Sequence, residues 1–136
     1  MRQATPTEKF LLDTNAVIAL MKGNALFISQ IKKHHPSAIC ITSITLHELY
    51  FGAYKSQRRS ENLARIGLLK LAVLQFDEQD ALSAGIAHAS LSAAGTPIGP
   101  LDVLIAGTAL ARGLTLVTHN LGEFQRVEGL RVSDWE

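Results

Sequence analysis

The chain has 136 residues, which suits a single domain with an ordinary hydrophobic core. Apolar residues make up 47% of the chain and charged residues 18%, a balance that excludes an intrinsically disordered protein. The 13 basic and 12 acidic side chains give a net charge of +1, which excludes a strongly basic, non-specific nucleic-acid binder but not a local basic patch.

Apolar and polar residues alternate along the first half of the chain in a way that predicts short strands between helices. Residues 1–8 are polar and predict a loose leader at the start of a single domain that spans residues 1–136. Apolar runs predict strands at 9–13 and 38–42. Apolar residues recurring every three or four positions predict helices at 15–21, 25–34 and 43–55.

The second half continues the same pattern, and the whole predicts an α/β fold. Helices are predicted at 60–70, 78–94 and 101–112, and strands at 71–76, 114–118 and near 130–135. Strands that alternate with helices predict a three-layer α/β/α architecture, in which helices cover both faces of a mostly parallel sheet of four or five strands. Ligands of such sheets bind beyond the carboxyl ends of the strands.

Three acidic residues lie among apolar neighbours, where acids are rare. Asp13 follows FLL, Glu48 lies within ITLHELYFGA, and Asp102 lies within PIGPLDVLIAG. Two of the three are predicted to project from the carboxyl edge of the sheet. Several other acids stand in polar surroundings and are interpreted as solvated surface charges: Glu61, Glu78, Asp80, Glu128 and Asp134.

Each of the three acids also has a structural interpretation. Asp13 suits the N-cap of the helix that begins near Asn15. Asp102 suits the first turn of a helix that starts at Pro100, where the helix dipole favours a negative charge. Glu48 is harder to explain, because it lies in mid-helix and Gly52, not a basic residue, stands four positions on. Together the three acids predict one shared carboxylate pocket.

A shared carboxylate pocket predicts a bound cation. Carboxylates that share a dry site raise one another's pKa, and a divalent cation removes that conflict. Carboxylate and neutral oxygens suit Mg²⁺ or Mn²⁺, and the strand at 114–118 runs into further oxygen ligands at Thr118, Asn120 and Glu123. The absence of HExxH and CxxC spacing argues against zinc, and the absence of GxGxxG, GxxxxGK[ST] and GxSxG argues against nucleotide-binding and serine-hydrolase sites.

The amino-acid sequence also shows no recognisable targeting signal. There is no signal peptide and no apolar stretch near the roughly 18 residues of a membrane span. The single cysteine, Cys40, cannot form an internal disulfide and lies in a predicted strand without an obvious histidine partner. These features predict a cytoplasmic protein without membrane association.

Four sequence blocks together resemble the PIN-domain ribonucleases of the VapC toxin family. They lie within LLDTNAVIALMKG, ITSITLHELYFGAYKS and GTPIGPLDVLIAGTALARGLTLVTHNLGEFQRVEGLRVSDW, in family order and spacing, and cover residues 9–135. The resemblance implies a PIN-like fold and an endoribonuclease that depends on Mg²⁺ or Mn²⁺ and hydrolyses RNA with metal-activated water. It also implies inhibition by a VapB-type antitoxin, a homodimer, and DNA binding only through the antitoxin.

The resemblance assigns roles to particular residues. Asp13, Glu48 and Asp102 match the family's catalytic metal ligands. The fourth family position, often Asp, falls at Asn120, so the fourth ligand is Asn120, Glu123, or both through water. Asn15 and Thr118 match polar positions that line the family's site.

The blocks look especially like the toxins that cut initiator tRNA in its anticodon stem-loop. Lys55, Arg58 and Arg59 follow the Glu48 helix and are candidate RNA contacts, with a solvated helix end as the alternative.

A second group of side chains on the same helix suggests a protein partner. Tyr50, Phe51 and Tyr54 are predicted to form an exposed apolar anchor for the antitoxin, with a core position as the alternative for Phe51.

Two rival functions remain on sequence grounds. A catalytically idle PIN-like module that only binds protein would need a broken acid set, whereas all three acids are present here. A structure-specific DNA nuclease with the same metal chemistry would need extra helical elements, for which 136 residues leave no room.

Overall fold

The computed structural model describes residues 8–136, so the predicted leader at residues 1–8 lies, apart from Glu8, outside the described residues. The described part has five strands, which are β1 (Phe10–Leu12), β2 (Ile39–Thr42), β3 (Ala72–Leu74), β4 (Thr115–Val117) and β5 (Val132–Ser133). Its seven helices are α1 (Thr14–Met21), α2 (Ala25–Ile31), α3 (Ser43–Lys55), α4 (Arg59–Gly67), α5 (Glu78–Ala93), α6 (Pro100–Arg112) and α7 (Leu121–Phe124).

The five strands form one parallel sheet in the order β3-β2-β1-β4-β5. β1 lies at the centre, with Phe10 paired to Ile39 of β2 and to Thr115 of β4. β1, β2 and β4 are buried along their whole length, as expected for strands covered on both faces. The carboxyl ends of these three strands therefore meet at one edge of the sheet.

Helices cover both faces of the sheet, which confirms the predicted three-layer α/β/α fold. Alternate residues of β1 point to opposite sides: Phe10 and Leu12 belong to the core that includes Phe27, whereas Leu11 belongs to the core that includes Ile105. The first core packs against α1 to α4 and the second against α5 to α7.

The pair α5 and α6 packs closely enough to require glycine. A Cβ atom added to Gly107 of α6 would lie 2.4 Å from the Cβ of Ala84 in α5 and 2.5 Å from its Cα. This contact fixes the position of α6, whose first turn carries Asp102.

A buried ion pair joins α5 and α6 at the end away from Asp102. It shows that the interpretation of Asp80 as a solvated charge was wrong. Asp80 is fully buried, and Arg112 donates to its two carboxylate oxygens at 3.2 and 2.9 Å. Burial opposes ionisation, but the hydrogen bonds from Arg112 and from the Asp77 backbone outweigh it and lower the pKa of Asp80. Asp80 also completes a capping box with Asp77 at the start of α5.

The end of α2 and the presence of α7 differ from the predictions for local reasons. α2 ends at Ile31 and not at residue 34, because Pro36 holds His35 in an extended conformation and starts a 3₁₀ turn, Pro36–Ala38. The short helix α7 was not predicted, since four residues are too few to show a helical period. No helix in the described part of the chain has the length and apolar character needed to span a membrane.

Candidate active site

Asp13 lies where β1 leaves the sheet and α1 begins. It is buried, with 3% of its surface exposed, and its Oδ1 accepts a hydrogen bond from the Ala16 backbone at 2.7 Å. Asp13 is thus the N-cap of α1, as one interpretation of the sequence held. Burial raises its pKa, and the nearby charges of Glu136 and Glu48 add to that effect, while hydrogen bonds from Thr118 and Ala16 oppose it.

Glu48 approaches the same place from α3. Thr42, the last residue of β2, caps α3 by accepting from the Thr45 backbone at 3.0 Å, so α3 starts directly at the carboxyl edge of the sheet. The half-buried Glu48 lies in its second turn, and its Oε1 accepts a hydrogen bond from the Thr14 hydroxyl at 2.7 Å. The contact joins α3 to the first residue of α1.

Asp102 completes the group from the first turn of α6. Burial, followed in order of size by the charges of Glu48, Asp13 and Glu123, raises the pKa of Asp102 to about 6. Gly99, the N-cap of α6, leaves room for this carboxylate, because a Cβ atom there would lie 2.7 Å from Asp102 Oδ2. The structure therefore brings the three sequence-predicted acids together, with Glu123 as a fourth carboxylate.

The residues that follow β4 line the other side of the site. The buried Thr118 accepts a hydrogen bond from the Asn120 backbone at 2.9 Å, and the Asn120 side chain donates to Glu123 Oε2 at 3.0 Å. Asn120 is exposed and oriented by this bond. After burial and the charges of Glu48 and Asp13, the charge of Glu123 adds to the raised pKa of Asp102. Asn15 is also exposed and shares an open cavity of about 480 Å³ with Asn120.

Three further residues, His119, Asp134 and Glu136, lie beside the site and were not predicted as site residues. His119 Nδ1 lies 3.0 Å from Asp134 Oδ2 and 3.9 Å from Glu136 Oε2, and Glu136 raises the pKa of Asp13. The sequence analysis interpreted Asp134 as a solvated surface charge and assigned no role to His119. Their position after β4 and β5, at the carboxyl edge, was the signal that could have found them.

The four carboxylates of the site lack a basic partner. Within residues 8–136, neither a lysine nor an arginine forms a salt bridge with Asp13, Glu48, Asp102 or Glu123. These carboxylates are therefore not directly paired with a lysine or arginine within the described chain. The donor set of carboxylate and neutral oxygens suits a hard divalent cation.

The basic and aromatic residues predicted beyond Glu48 are exposed. Tyr50, Phe51 and Tyr54 have 41, 61 and 56% of their surface exposed, so Phe51 is not a core residue. Lys55 Nζ lies 5.6 Å from the centre of the Phe51 ring, and the guanidinium of Arg59 lies 5.0 Å from that of Tyr54. These pairs create a surface that is both apolar and positively charged.

A second cavity opens directly beside Glu48. It has a volume of about 330 Å³ and lies between α1, α3 and α4. Apolar side chains such as Met21 and Ile66 line it together with the cations Lys22 and Arg65. The cavity therefore joins an apolar surface to the edge of the carboxylate group.

Comparison with known protein families gives a match over most of the chain. Residues 10–130 match the model of the PIN domain. The chain is 45% identical over 129 residues to the tRNA(fMet)-specific endonuclease VapC of Salmonella typhimurium, covering 93% of this chain and 98% of the relative. It is 40% identical over 129 residues to the ribonuclease VapC2 of Haemophilus influenzae, with the same coverage.

Solved structures agree with the sequence relatives. The DNA-bound VapBC complex of Salmonella typhimurium contains a chain that superposes with a TM-score of 0.89 at 45% identity, covering 96% of this chain and 100% of that one. A VapBC-1 chain from nontypeable Haemophilus influenzae superposes with a TM-score of 0.84 at 36% identity, covering 93 and 97%. The resemblance read from the four sequence blocks is therefore confirmed.

Proposed function

The chain belongs to the PIN-domain family and, within it, to the VapC ribonucleases, and from that premise we propose the metal, substrate and partners of this protein. It is an endoribonuclease toxin of a toxin–antitoxin pair. The observation that carries the proposal is the convergence of Asp13, Glu48, Asp102 and Glu123 without a basic partner among the described residues.

PIN nucleases depend on divalent metal ions, and Mg²⁺ or Mn²⁺ suits this site. Asp13, Glu48 and Asp102 are the proposed ligands, because they supply anionic oxygens from three different elements. When bound, a divalent cation activates water and stabilises the negative charge that develops on a phosphodiester. The raised pKa of Asp102 supports this choice, since a cation relieves the repulsion that causes part of the shift.

The neutral residues of the site have orienting roles in this proposal. Thr118 holds the backbone after β4 through its bond from Asn120, and Asn120 holds Glu123. The two candidates for the fourth ligand position then have different roles. Glu123 supplies the anionic oxygen, and Asn120 orients the Glu123 carboxylate by donating a hydrogen bond to it. Asn15 faces the open cavity in which an RNA backbone would lie.

The proposed substrate is a structured RNA, and initiator tRNA is the first candidate. The Salmonella relative that is 45% identical is described as a tRNA(fMet)-specific endonuclease. A net charge of +1 supports recognition by shape and a few local cations, for which Lys55, Arg58 and Arg59 are the proposed contacts. Such a substrate would place the protein's action in the cytoplasm.

The proposed partner is a VapB-type antitoxin, as in the VapBC complexes of Salmonella and Haemophilus. Tyr50, Phe51 and Tyr54 offer apolar anchors, and the cavity beside Glu48 leads to the carboxylates. An antitoxin arginine that reached those carboxylates would compete with the cation for them. We expect the toxin to be a homodimer that associates with DNA only through the antitoxin.

Metal-dependent cleavage of RNA and DNA by the purified chain tests the proposal. We expect initiator tRNA to be cut in the presence of Mg²⁺ or Mn²⁺, with no cleavage in EDTA and little cleavage of matched DNA. Sequencing RNA 5′ ends after brief expression in cells would identify the cut site, with Asp13→Asn as the control. A chain that binds antitoxin but cleaves no RNA under any metal condition would instead be an idle binding module.

A further inference from the structure

We propose that Thr14 is a positioning residue for the cation site, and that the buried Thr45 supports it. In this arrangement the Thr14 hydroxyl holds one oxygen of the Glu48 carboxylate and leaves the other oxygen available to the cation. The inference rests on the proposed function only in taking Glu48 as a cation ligand.

The geometry joins two helices, α1 and α3, through two hydrogen-bond contacts. Thr14 Oγ1 lies 2.7 Å from Glu48 Oε1 and 3.1 Å from Thr45 Oγ1. Thr14 is the first residue of α1, while Thr45 and Glu48 lie three positions apart on α3. Residues three apart on a helix share one face, so both α3 side chains can meet the same hydroxyl.

The direction of the two hydrogen bonds follows from counting protons. The Thr14 hydroxyl has one proton, and an ionised carboxylate can only accept. Thr45 is fully buried, and Thr14 is the one hydrogen-bond partner of its hydroxyl within residues 8–136. A buried hydroxyl needs a partner, so Thr45 donates to Thr14 and Thr14 donates to Glu48.

These two hydrogen bonds orient the Glu48 carboxylate before a cation binds. A glutamate side chain has several rotatable bonds, and binding an ion requires them to be ordered. The bond from Thr14 orders the carboxylate beforehand. Groups that orient a metal ligand in this way typically change metal affinity by about 10- to 100-fold when they are removed.

The arrangement also explains why threonine follows Asp13 directly. The strand-to-helix junction presents Asp13 from its N-cap position and Thr14 from the next position. One residue is then a proposed ligand, and its neighbour supports a second ligand 34 residues further along the chain. A single junction thus couples α1 and α3 at the site.

Mn²⁺ binding by the full chain tests the inference without using activity. Thr14→Val keeps the shape of the side chain and removes the hydroxyl, whereas Thr14→Ser keeps the hydroxyl. We expect Thr14→Val to weaken Mn²⁺ binding about 10-fold or more, measured by calorimetry or by the EPR signal of free Mn²⁺, and Thr14→Ser to stay within about 3-fold of wild type. Thermal unfolding without metal controls for loss of the fold.

A second pair of variants and a kinetic measurement complete the test. Thr45→Val should weaken Mn²⁺ binding less than Thr14→Val does. Thr45→Ser, which keeps the hydroxyl, should bind Mn²⁺ with nearly wild-type affinity. In RNA cleavage, Thr14→Val should raise the Mn²⁺ concentration needed for half-maximal rate more than it lowers the rate at saturating Mn²⁺. If Thr14→Val misfolds, the Thr45 pair provides the same comparison.

The outcomes separate this inference from the proposed function. Equal Mn²⁺ affinity for wild type and Thr14→Val, or equal losses in the Val and Ser variants, would overturn the positioning role. Thr14-dependent Mn²⁺ binding without RNA cleavage would support the positioning role and overturn the nuclease. A wild-type chain that binds no Mn²⁺ would overturn both.

Discussion

At the residue scale, Asp13 has a structural and a chemical role that one substitution can separate. Asparagine is as good an N-cap as aspartate, so Asp13→Asn should keep the bond from the Ala16 backbone and the thermal stability. It should nevertheless reduce metal-dependent RNA cleavage by about 100-fold or more, because one anionic ligand is lost. Cleavage of initiator tRNA and a melting curve on the same preparation measure the two effects.

Relief of toxicity on expression in cells should accompany the loss of cleavage. A soluble Asp13→Asn protein as toxic as wild type would show that toxicity does not come from nuclease action.

Asp102 leads to a prediction about pH. Its pKa is about 6 in the folded protein against 3.8 ordinarily, so the metal-free folded state retains a proton that the unfolded chain releases. Its contribution to stability should be fully present below about pH 4 and lost as the pH rises through about 6. Cation binding displaces that proton, so Mn²⁺ affinity should increase with pH up to about 6 and then level off.

Melting curves from pH 4 to 8, with and without Mn²⁺, measure both trends. Asp102→Asn should flatten the pH dependence of the metal-free protein and weaken Mn²⁺ binding. Glu128→Gln, which changes an exposed acid elsewhere, is the matched control. If the melting temperatures of wild type and Asp102→Asn change in parallel across this pH range, titration of Asp102 is not the cause of the pH dependence.

At the element scale, the close packing of α5 on α6 predicts that Gly107→Ala destabilises the fold. The added Cβ would lie 2.4 to 2.6 Å from atoms of Ala84, two of them backbone atoms, so the helices must separate. Overpacking of this kind costs about 1–3 kcal/mol of unfolding free energy. Gly85→Ala on α5 is the control, since nothing lies within 4 Å of its Cβ and alanine favours a helix by about 1 kcal/mol. Urea denaturation should therefore give opposite signs for the two changes.

The ion pair between Asp80 of α5 and Arg112 of α6 gives a second prediction at this scale. Arg112→Ala leaves the fully buried Asp80 without its cation, which should cost roughly 3 kcal/mol at neutral pH. Because the pKa of Asp80 is lowered in the folded state, the wild-type pair contributes stability above about pH 4 and loses it at lower pH. The difference between wild type and variant in urea denaturation should thus shrink below that pH; a constant difference would show that Arg112 acts by packing alone.

At the scale of the whole molecule, a near-neutral chain must bind RNA with local cations. Charge reversal at Arg58 or Arg59 should weaken tRNA binding and reduce the dependence of affinity on salt by about one counterion per lost phosphate contact. Lys33→Glu is the control, because Lys33 is exposed just after α2 and lines neither of the two cavities beside the site. Anisotropy titrations over a range of salt concentrations measure both quantities, and equal losses in the control would indicate a general effect of net charge.

The exposed aromatic residues lead to the prediction about the antitoxin. Phe51→Ala or Tyr54→Ala should weaken the complex with the antitoxin about 10-fold or more, whereas Leu26→Ala, similarly exposed on α2, should not. Excess Mg²⁺ should partly oppose inhibition of cleavage if an antitoxin side chain competes for the carboxylates. Complete inhibition that is insensitive to metal would contradict competition for the carboxylates and would leave blocked RNA access as its cause.

Local sequence pattern was sufficient to predict the order of the elements, a mostly parallel sheet and the sheet edge at which the acids lie. These follow from local periodicity, since a residue's position in a helix or strand decides whether it is buried, and from the rule that parallel strands share a carboxyl edge. Asp13, Glu48 and Asp102 stood out because carboxylates are costly among apolar neighbours. Their catalytic roles remain predictions.

The tertiary structure alone decided which distant side chains meet. Thr14 lies against Glu48, Arg112 pairs with Asp80, and Glu136 adds to the pKa increase that burial causes in Asp13. The two residues of each pair are more than 30 positions apart in sequence. Local pattern records whether a position is buried but not what it is buried against. Partners across elements depend on how helices pack on the sheet, and this is why a residue that looked solvated, Asp80, belongs to the interior.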